Sequence, residues 1–325
     1  MRSEHLVTVR NNKVQIKLPI RRNLTILKGR SATGKSTLID LVGQFDELGP
    51  DSGVIVNCDV PCKVLSGKNW QRDLESISGS IVFIDEDNAF MRSREFAHAA
   101  KNSDNYYVLV AREALPQLPY SVDEIYELRN TGRSSSKYPS YSRTYTSTHR
   151  VYGVRQFDGS RPDLVVVEDS NSGFDFFSAL CQKSGVPCVS AKGKTNVFRT
   201  VRDAGANSIL VIADGAAFGP EIETVLALGR YKSLQLFLPE SFEWLVLSSG
   251  LFKDKKTQDM LLHPADFIES AEFFSWEQFF TSQLVELTSG SYLAYGKSSL
   301  NLAYLEARQR AILEASLPKL GLELF

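Results

Sequence analysis

Long apolar runs and an excess of either charge are both lacking in this sequence. No uninterrupted apolar run reaches the roughly 18 residues that indicate a membrane-spanning helix, and residues 1–22 lack the apolar core of a signal peptide. We therefore expect a cytoplasmic protein without a membrane partner. Lysine and arginine number 37 against 38 acidic residues, so no overall field favours nucleic acid, and such a partner needs a local patch.

Cysteine is scarce as well. The four cysteines are too few for a disulfide scaffold in a chain of 325 residues. Cys58 and Cys62 are close in sequence, but no second pair or histidine cluster completes a zinc site, so we expect reduced thiols. The chain exceeds the roughly 250–300 residues at which a single core stops growing, which predicts two domains.

Apolar segments of strand length alternate with helical patterns over the first part of the chain. The predicted strands are 5–10 and 13–18, joined by a tight turn at Asn11 and Asn12, then 24–27, 54–58, 80–84, 106–111 and 122–128. The predicted helices are 35–42, 70–77 and 92–101. Strands that alternate with helices form a mostly parallel sheet covered on both faces, so we expect an α/β fold.

A second alternation follows a change of composition at Arg129. The predicted strands are 164–167, 187–190, 208–213 and 234–238, and the predicted helices are 174–183, 196–204, 221–228, 267–287 and 298–315. The predicted organisation is a first domain at 1–130, a linker at 131–158, a smaller α/β domain at 159–250 and a helical region at 251–325.

Basic and aromatic residues interleave in the segment 129–155, which contains no acidic residue. They are Arg129, Arg133, Lys137, Tyr138, Tyr141, Arg143, Tyr145, Arg150, Tyr152 and Arg155. Cations for phosphates and rings for bases suit single-stranded nucleic acid. A flexible solvated linker has a similar composition, so both interpretations stay open.

Residues 29–36 match the phosphate-loop pattern and lie between a predicted strand and a predicted helix, as that motif requires. The expected nucleotide-binding residues are Gly29, Arg30, Ser31, Ala32, Thr33, Gly34, Lys35, Ser36 and Thr37. The glycines let backbone N–H groups surround the phosphates of ATP or GTP. Lys35 can reach the β- and γ-phosphates, and the Ser36 hydroxyl can ligate Mg²⁺.

An acidic pair follows the predicted strand 80–84. Asp85 is suited to hold the water shell of Mg²⁺, and Glu86 is suited to activate the attacking water. We therefore expect Lys35 and Glu86 as catalytic residues, Ser36 and Asp85 as metal ligands, and ATP and Mg²⁺ as cofactors.

The order of strand, hairpin, strand, phosphate loop and apolar strand ending in Asp85 and Glu86 resembles the ABC/AAA-type branch of P-loop ATPases in a compact form. Residues 20–128 resemble bacterial ATP-binding proteins of unassigned role. Residues 65–69 are similar to the ABC signature but lack its second glycine and its glutamine. Arg112 stands where ABC proteins carry a switch histidine, and it would sense the γ-phosphate or form a salt bridge. The resemblance implies a homodimer whose second subunit completes the site.

Two further acids follow apolar strands in the second domain: Glu168 after 164–167 and Asp214 after 208–213. This order resembles the Toprim fold of topoisomerases, primases and OLD-family nucleases. The resemblance implies acid–base chemistry at Glu168 and metal binding by an Asp-x-Asp motif, but Asp214 has no second aspartate after it. The candidates for the missing ligand are Asp169, Asp175, Glu240 and Glu243.

The leading hypothesis is an ATPase coupled to a Toprim-like effector that acts on nucleic acid or is regulated by it. The OLD-type resemblance implies a role in defence against foreign DNA. One alternative is a nucleotide-switched regulatory or binding protein whose Toprim-like domain is catalytically inactive, and another is a small-molecule kinase. The expected partners are a nucleotide, DNA or RNA, and a second copy of the chain or another protein.

Overall fold

A computed structural model describes residues 3–29, 33–133, 143–153 and 157–322 of the chain. The chain divides into two compact units. The first unit comprises Met1–Gly153 and Ala265–Phe274, and the second comprises Val154–Pro264 and Ser275–Phe325. Both units are α/β, as the alternation of strands and helices predicts.

Within the described residues, the first unit contains one nine-stranded sheet. Its strands are β1 His5–Arg10, β2 Val14–Ile20, β3 Leu24–Lys28, β4 Ile55–Asn57, β5 Cys62–Val64, β6 Ile81–Ile84, β7 Tyr106–Val110, β8 Ile125–Arg133 and β9 Thr144–Arg150. Their order across the sheet is β4-β1-β2-β9-β8-β3-β7-β6-β5. The sheet is mostly parallel, and the antiparallel pairs are β1 with β2, β1 with β4, and β8 with β9.

Three helices of the first unit follow from local sequence signals. They are α1 Lys35–Leu48, α2 Trp70–Glu75 and α3 Arg94–Lys101. The buried side of α1 carries Leu38, Leu41 and Val42, at the spacing of one helical face. At the start of α3, the Ser93 side chain accepts a hydrogen bond from the N–H of Phe96, which is an N-cap.

The parallel run β3-β7-β6 positions the candidate site of the first unit. Leu27 of β3 lies beside Val110 of β7, and Leu109 of β7 lies beside Ile84 of β6. These strands are buried almost throughout, as expected of strands covered on both faces. Their carboxyl ends therefore meet at one edge of the sheet, where α/β proteins bind ligands.

Two strands of this sheet differ from the sequence-based expectation. The range 131–158, predicted as a linker, contains the end of β8 and all of β9, and β9 pairs with both β8 and β2. The prediction is therefore corrected over Thr144–Arg150. The sequence of β9 is polar, so it lacks the apolar alternation by which a strand is found. β5 was also missed, because it has three residues and follows Pro61 directly.

Within its described residues, the second unit contains a four-stranded parallel sheet. Its strands are β10 Leu164–Val167, β11 Cys188–Ser190, β12 Ser208–Ile212 and β13 Ser233–Phe237, in the order β11-β10-β12-β13. Its helices are α4 Ser172–Ser184, α5 Lys194–Asp203, α6 Ile222–Ala227, α7 Phe242–Ser248, α8 Lys255–Leu262, α9 Trp276–Thr288 and α10 Ala307–Ser316. Val167 lies beside Ile212 in the β10–β12 pair, so the residues that follow both strands are neighbours.

The predicted helical region is helical only in part. The helix predicted at 267–287 begins at Trp276, and the preceding segment Ala265–Phe274 belongs to the first unit. There the Asn23 side-chain amide donates a hydrogen bond to the Ser270 carbonyl at 2.8 Å. This contact joins residues far apart in the sequence, which a local pattern does not reveal. Among the described residues, no helix has the length and apolar character needed to cross a bilayer.

Candidate nucleotide site and acidic centre

The phosphate-loop residues lie between β3 and α1. Gly29 has a φ of 131° and Gly34 a φ of 95°, and such values favour glycine because it has no Cβ. Gly34 is the N-cap residue of α1, so the first residues of that helix are Lys35, Ser36 and Thr37. Arg30, Ser31 and Ala32 lie outside the described residues. Thr33 and Gly34 therefore lead directly into a helix N-terminus, where backbone N–H groups favour an anion.

Lys35 is buried although it carries a charged amine. Only 6% of the residue is exposed, and its Nζ donates to the Gly29 carbonyl at 2.9 Å and to Thr33 Oγ1 at 3.1 Å. Burial is the main cause that lowers the pKa of Lys35. The negative charges of Glu86 and Asp85 oppose this by raising the pKa, whereas the positive charge of Arg112 lowers it. The amine thus contacts Gly29 and Thr33 and lies within electrostatic range of the acidic pair after β6.

Glu86 and Arg112 form a two-point ion pair at the carboxyl ends of β6 and β7. Arg112 Nε donates to Glu86 Oε2 at 2.7 Å, and Arg112 Nη2 donates to Oε1. The hydrogen bonds from Arg112 hold the pKa of Glu86 below its ordinary value. The Glu86 carboxylate is therefore charged and engaged, and it faces a cleft of about 360 Å³ that Arg112 also lines.

Asp85 precedes Glu86 at the end of β6. Its Oδ1 accepts the Glu86 N–H at 2.7 Å, and its carbonyl accepts the N–H of Asn88 at 3.2 Å. Ser36 and Thr37 are exposed in the first turn of α1. Serine hydroxyl and aspartate carboxylate oxygens are hard ligands of the kind Mg²⁺ prefers, and with phosphates and waters they suffice for this ion. Ser36 and Asp85 are therefore of the ligand type that a nucleotide-bound Mg²⁺ takes.

Glu127 is a neighbour of the loop that the sequence analysis missed. It lies beside Lys28 in the β3–β8 pair, and its Cβ is 3.8 Å from the position a Cβ would take at Gly29. Its carboxylate forms an ion pair with Arg129. The position of β8 beside β3 is needed to find it, and no local motif signals that pairing.

The second unit brings Glu168 and Asp214 together. Glu168 Oε2 accepts the N–H of Asp214 at 3.0 Å. Burial raises the pKa of Glu168 to about 7. Burial also raises the pKa of Asp214, and the charges of Glu277 and Glu168 raise it further. The two strand-end acids predicted from sequence are therefore neighbours in a half-buried acidic centre.

Further side chains from the helices of the second unit reach this centre. Glu277, in the first turn of α9, forms an ion pair with Lys297, and Glu243 of α7 accepts a hydrogen bond from the Tyr295 hydroxyl at 2.9 Å. The sequence does not predict a role for three of these residues, Glu277, Tyr295 and Lys297. They lie more than 60 residues after Asp214 in the sequence, in segments without a recognisable motif.

Of the remaining acidic candidates, Asp169 lines the same small cavity as Glu168 and Asp214, and Asp169 and Asp175 accept backbone hydrogen bonds. Asp169 Oδ1 accepts the N–H of Phe174 at 2.9 Å, and Asp175 Oδ2 accepts the N–H of Leu300 at 3.1 Å. Glu240 is half-buried after β13, where its carbonyl accepts the N–H of Ala216 at 3.2 Å. Within the described part of the chain, no three His, Cys, Asp or Glu side chains are arranged to hold a metal ion. Metal binding at the acidic centre, which the Toprim resemblance implies, stays a prediction.

Two basic residues of β8 and β9, Arg129 and Arg150, form ion pairs. Arg129 pairs with Glu127, and Arg150 Nη1 lies 3.6 Å from Asp123 Oδ2. Lys137, Tyr138, Tyr141 and Arg155 lie outside the described residues. The interleaved pattern thus belongs partly to a paired strand hairpin, and its proposed contact with nucleic acid remains a prediction.

Comparison with known proteins adds no family to this description. No protein-family model matches the chain, and no curated protein gives a significant match.

Proposed function

We propose that the first unit is a Mg²⁺-dependent nucleoside triphosphatase and that the second unit is the effector it controls. The observation that carries the first part is the convergence of Lys35, Asp85, Glu86 and Arg112 at one edge of the sheet, beside the loop at 29–36. A lysine, two carboxylates and an arginine at the end of a phosphate loop are the groups that phosphoryl transfer uses.

Lys35 would bind the β- and γ-phosphates. Its amine already donates to loop oxygens at Gly29 and Thr33, so phosphate oxygens would replace neutral acceptors by charged ones. Hydrogen bonds between two charged groups are roughly twice as strong as neutral ones. The burial that lowers the pKa of Lys35 also strengthens its attraction to a phosphate, because little water screens it.

Glu86 would accept the proton of the attacking water, and Arg112 would control when it does so. Each Glu86 oxygen accepts a hydrogen bond from Arg112. A γ-phosphate carries more negative charge than a carboxylate and competes for the same guanidinium. Arg112 would therefore shift towards the phosphate and release Glu86 to the water. Mg²⁺, held by Ser36 and Asp85, would supply charge neutralisation at the phosphate oxygens.

Equilibrium binding of ATP with Mg²⁺ tests the phosphate loop. We expect the Lys35→Ala variant to bind ATP at least tenfold more weakly than the wild type, because it loses a charge-assisted contact of roughly 1.5–3 kcal/mol. Asp40→Asn changes an exposed residue of the same helix and is the matched control. Equal affinity of the wild type and Lys35→Ala for ATP would contradict the proposal that Lys35 and its loop bind the phosphates.

For the second unit, the structure favours the regulatory alternative over a metal-dependent nuclease. The favouring observations are that Glu168 and Asp214 are half-buried neighbours with raised pKa values, and that no three described His, Cys, Asp or Glu side chains are arranged to hold a metal ion. We therefore propose that nucleotide binding switches this unit between states that differ in affinity for nucleic acid or for a second copy of the chain.

A paired experiment separates the two alternatives. Sedimentation and nucleic-acid binding are measured with and without ATP and Mg²⁺, and cleavage of DNA and RNA is measured for wild type and Glu168→Ala. The regulatory proposal predicts a nucleotide-dependent change in assembly or binding and no cleavage by either protein. Cleavage by the wild type that is lost in Glu168→Ala would establish a nuclease instead.

A further inference from the structure

The strands β4, β1, β2, β9 and β8 form one side of the large sheet, and their two faces differ in character. One face carries Val7, Val9, Ile16 and Leu18, which belong to the core of the first unit. Because side chains alternate between the two faces of a strand, the residues between these point away from the core. The second face is polar, with exposed and half-buried side chains. We call it the basic sheet face, and its main residues are Arg10, Gln15, Lys17, Arg129, Tyr145 and Ser147.

The register of the strands places these side chains in two rows across the sheet. One row is formed by Lys17, Ser147 and Arg129, and the other by Arg10, Gln15 and Tyr145. Neighbouring strands are about 4.8 Å apart, and residues two apart along a strand are separated by about 6.6 Å. The cations and the tyrosine ring therefore lie on one continuous patch that extends over four strands.

Positive charge predominates on the basic sheet face. Arg10 and Lys17 are exposed, and the side chain of Arg129 is 60% exposed. Among the described residues on this side of the five strands, the acidic one is Glu127, and its carboxylate is already paired with Arg129. The whole chain has 37 Lys and Arg residues against 38 Asp and Glu residues. The excess of positive charge is therefore local, and it complements a polyanion.

An aromatic ring lies among these cations. Tyr145 is 36% exposed and lies beside Gln15, whose side-chain amide can hydrogen-bond to the edge of a base. Ile55 of β4 lies opposite Arg10 and is 49% exposed, which adds apolar surface to the same row. Unstacked bases stack on exposed rings, whereas the bases of a duplex are already stacked on each other. The ring therefore favours a single strand over a duplex.

We propose that the basic sheet face binds single-stranded nucleic acid. Arg10, Lys17 and Arg129 contact phosphates, and the ring of Tyr145 stacks on a base. Arg129 then exchanges the carboxylate of Glu127 for a phosphate, an anion that a guanidinium also binds.

The basic sheet face ends beside the phosphate loop. Glu127 lies beside Lys28 at the end of β3, and its Cβ is 3.8 Å from the position a Cβ would take at Gly29. The whole face belongs to the segment Met1–Gly153 of the first unit, so this contact is separate from any that the second unit makes. Binding is measured without nucleotide, so a failure to bind would leave the proposed hydrolysis untouched.

Fluorescence anisotropy of a labelled oligodeoxythymidine of about 16 nucleotides measures binding by the full-length chain. Affinity should fall as salt rises, because bound cations displace counterions from the phosphates. In Arg10→Gln and in Lys17→Gln, the slope of log affinity against log salt should decrease in magnitude by about 0.7. Arg94→Gln and Lys101→Gln remove exposed cations of α3 and are the matched controls, which should keep the wild-type slope.

Two substitutions at Tyr145 test the ring. Tyr145→Thr keeps a residue that favours strands but removes the ring, so the affinity for the oligonucleotide should fall about fivefold or more. Tyr145→Phe keeps the ring and should bind like the wild type. Circular dichroism of each variant separates a lost contact from a failure to fold.

Three results would overturn the proposal. They are no binding of the oligonucleotide at about 50 mM salt, wild-type salt slopes in both Arg10→Gln and Lys17→Gln, and equal affinity of Tyr145→Thr and the wild type. Tighter binding of a duplex of the same length, or equal competition by a polyglutamate peptide, would also contradict it, because the face would then bind another polyanion.

Discussion

At the scale of single residues, the proposed activation of water depends on the ion pair between Glu86 and Arg112. A carboxylate that activates water must be charged, and the hydrogen bonds from Arg112 keep the pKa of Glu86 low. The same contact occupies both carboxylate oxygens. In the proposed mechanism Arg112 therefore has two opposing effects: it keeps Glu86 deprotonated, and it restrains Glu86 until a phosphate competes.

Removal of Arg112 should move the pH dependence of hydrolysis in a defined direction. In Arg112→Ala the pKa of Glu86 rises towards its ordinary value, so Glu86 becomes protonated at a higher pH. We expect the acidic limb of the profile of kcat/KM against pH to shift upwards.

The profile is compared with that of Arg72→Ala, which removes an exposed arginine paired with Asp73. An acidic limb at the same pH in Arg112→Ala and the wild type would show that Glu86 is not the group whose ionisation is observed.

Only some of the residues at the two candidate sites can be predicted from the sequence. Asp85, Glu86, Glu168 and Asp214 stand at strand ends and Lys35 at the start of a helix, all within recognisable patterns, and the structure brings them to the carboxyl ends of their sheets. Glu127 and Glu277 carry no such signal. Glu127 reaches the loop through the pairing of β8 with β3, and Glu277 reaches the acidic centre from α9. Contacts between residues distant in sequence are invisible to a local pattern.

At the scale of elements, the close approach of two loops holds the acidic centre in place. Gly215 follows Asp214, and a Cβ there would lie 2.7 Å from the Leu238 carbonyl and 2.9 Å from the Pro239 carbonyl. The Gly215 N–H donates to the Pro239 carbonyl at 2.6 Å. The segments after β12 and β13 therefore contact each other through their backbones.

Gly215→Ala should destabilise the second unit. The added methyl group overlaps backbone atoms that do not have the freedom of a side chain, and overpacking of this kind typically costs about 1–3 kcal/mol. Urea unfolding of the chain measures the change in the free energy of unfolding. Gly205→Ala is the control, since a Cβ at Gly205 meets no atom within 4 Å. Equal stability of the two variants would contradict the tight packing of these loops.

Apolar strands are the elements whose positions the sequence predicts well. β3, β6, β7 and β12 are apolar runs of strand length, and each was predicted within a residue or two of its bounds. The Thr- and Ser-rich sequence of β9 lacks apolar alternation and therefore predicts a linker. The segment nevertheless forms a strand, because β2 and β8 pair with it on both sides. Tertiary pairing outweighs local composition there.

At the scale of the whole molecule, buried acids make stability depend on pH. Glu124 of the first unit is fully buried, 3.5 Å from Arg22, and neither of its carboxylate oxygens has a hydrogen-bond partner among the described residues. Burial raises its pKa to about 7. The folded chain therefore binds more protons than the unfolded chain between the ordinary carboxyl pKa and pH 7, so this group lowers stability as pH rises through that window.

Glu124→Gln should abolish that contribution. We expect the free energy of unfolding of the variant, relative to the wild type, to increase by up to about 3 kcal/mol between pH 5 and pH 8, because each unit of pKa shift corresponds to about 1.4 kcal/mol. Urea unfolding at several pH values measures the difference, and Glu75→Gln on the exposed side of α2 is the control. A difference independent of pH would show that Glu124 titrates normally in the folded chain.

The central claim is that the chain hydrolyses a nucleoside triphosphate with Glu86 as the base, and phosphate release from ATP with Mg²⁺ tests it most directly. We predict turnover by the wild type and by Glu75→Gln, with a loss of about 10²-fold or more in Glu86→Gln, the range expected for a general base. Stimulation by DNA or RNA would support nucleic acid as the partner of the second unit. Equal phosphate release by wild type and Glu86→Gln, or none by a wild type that binds ATP, would contradict the account.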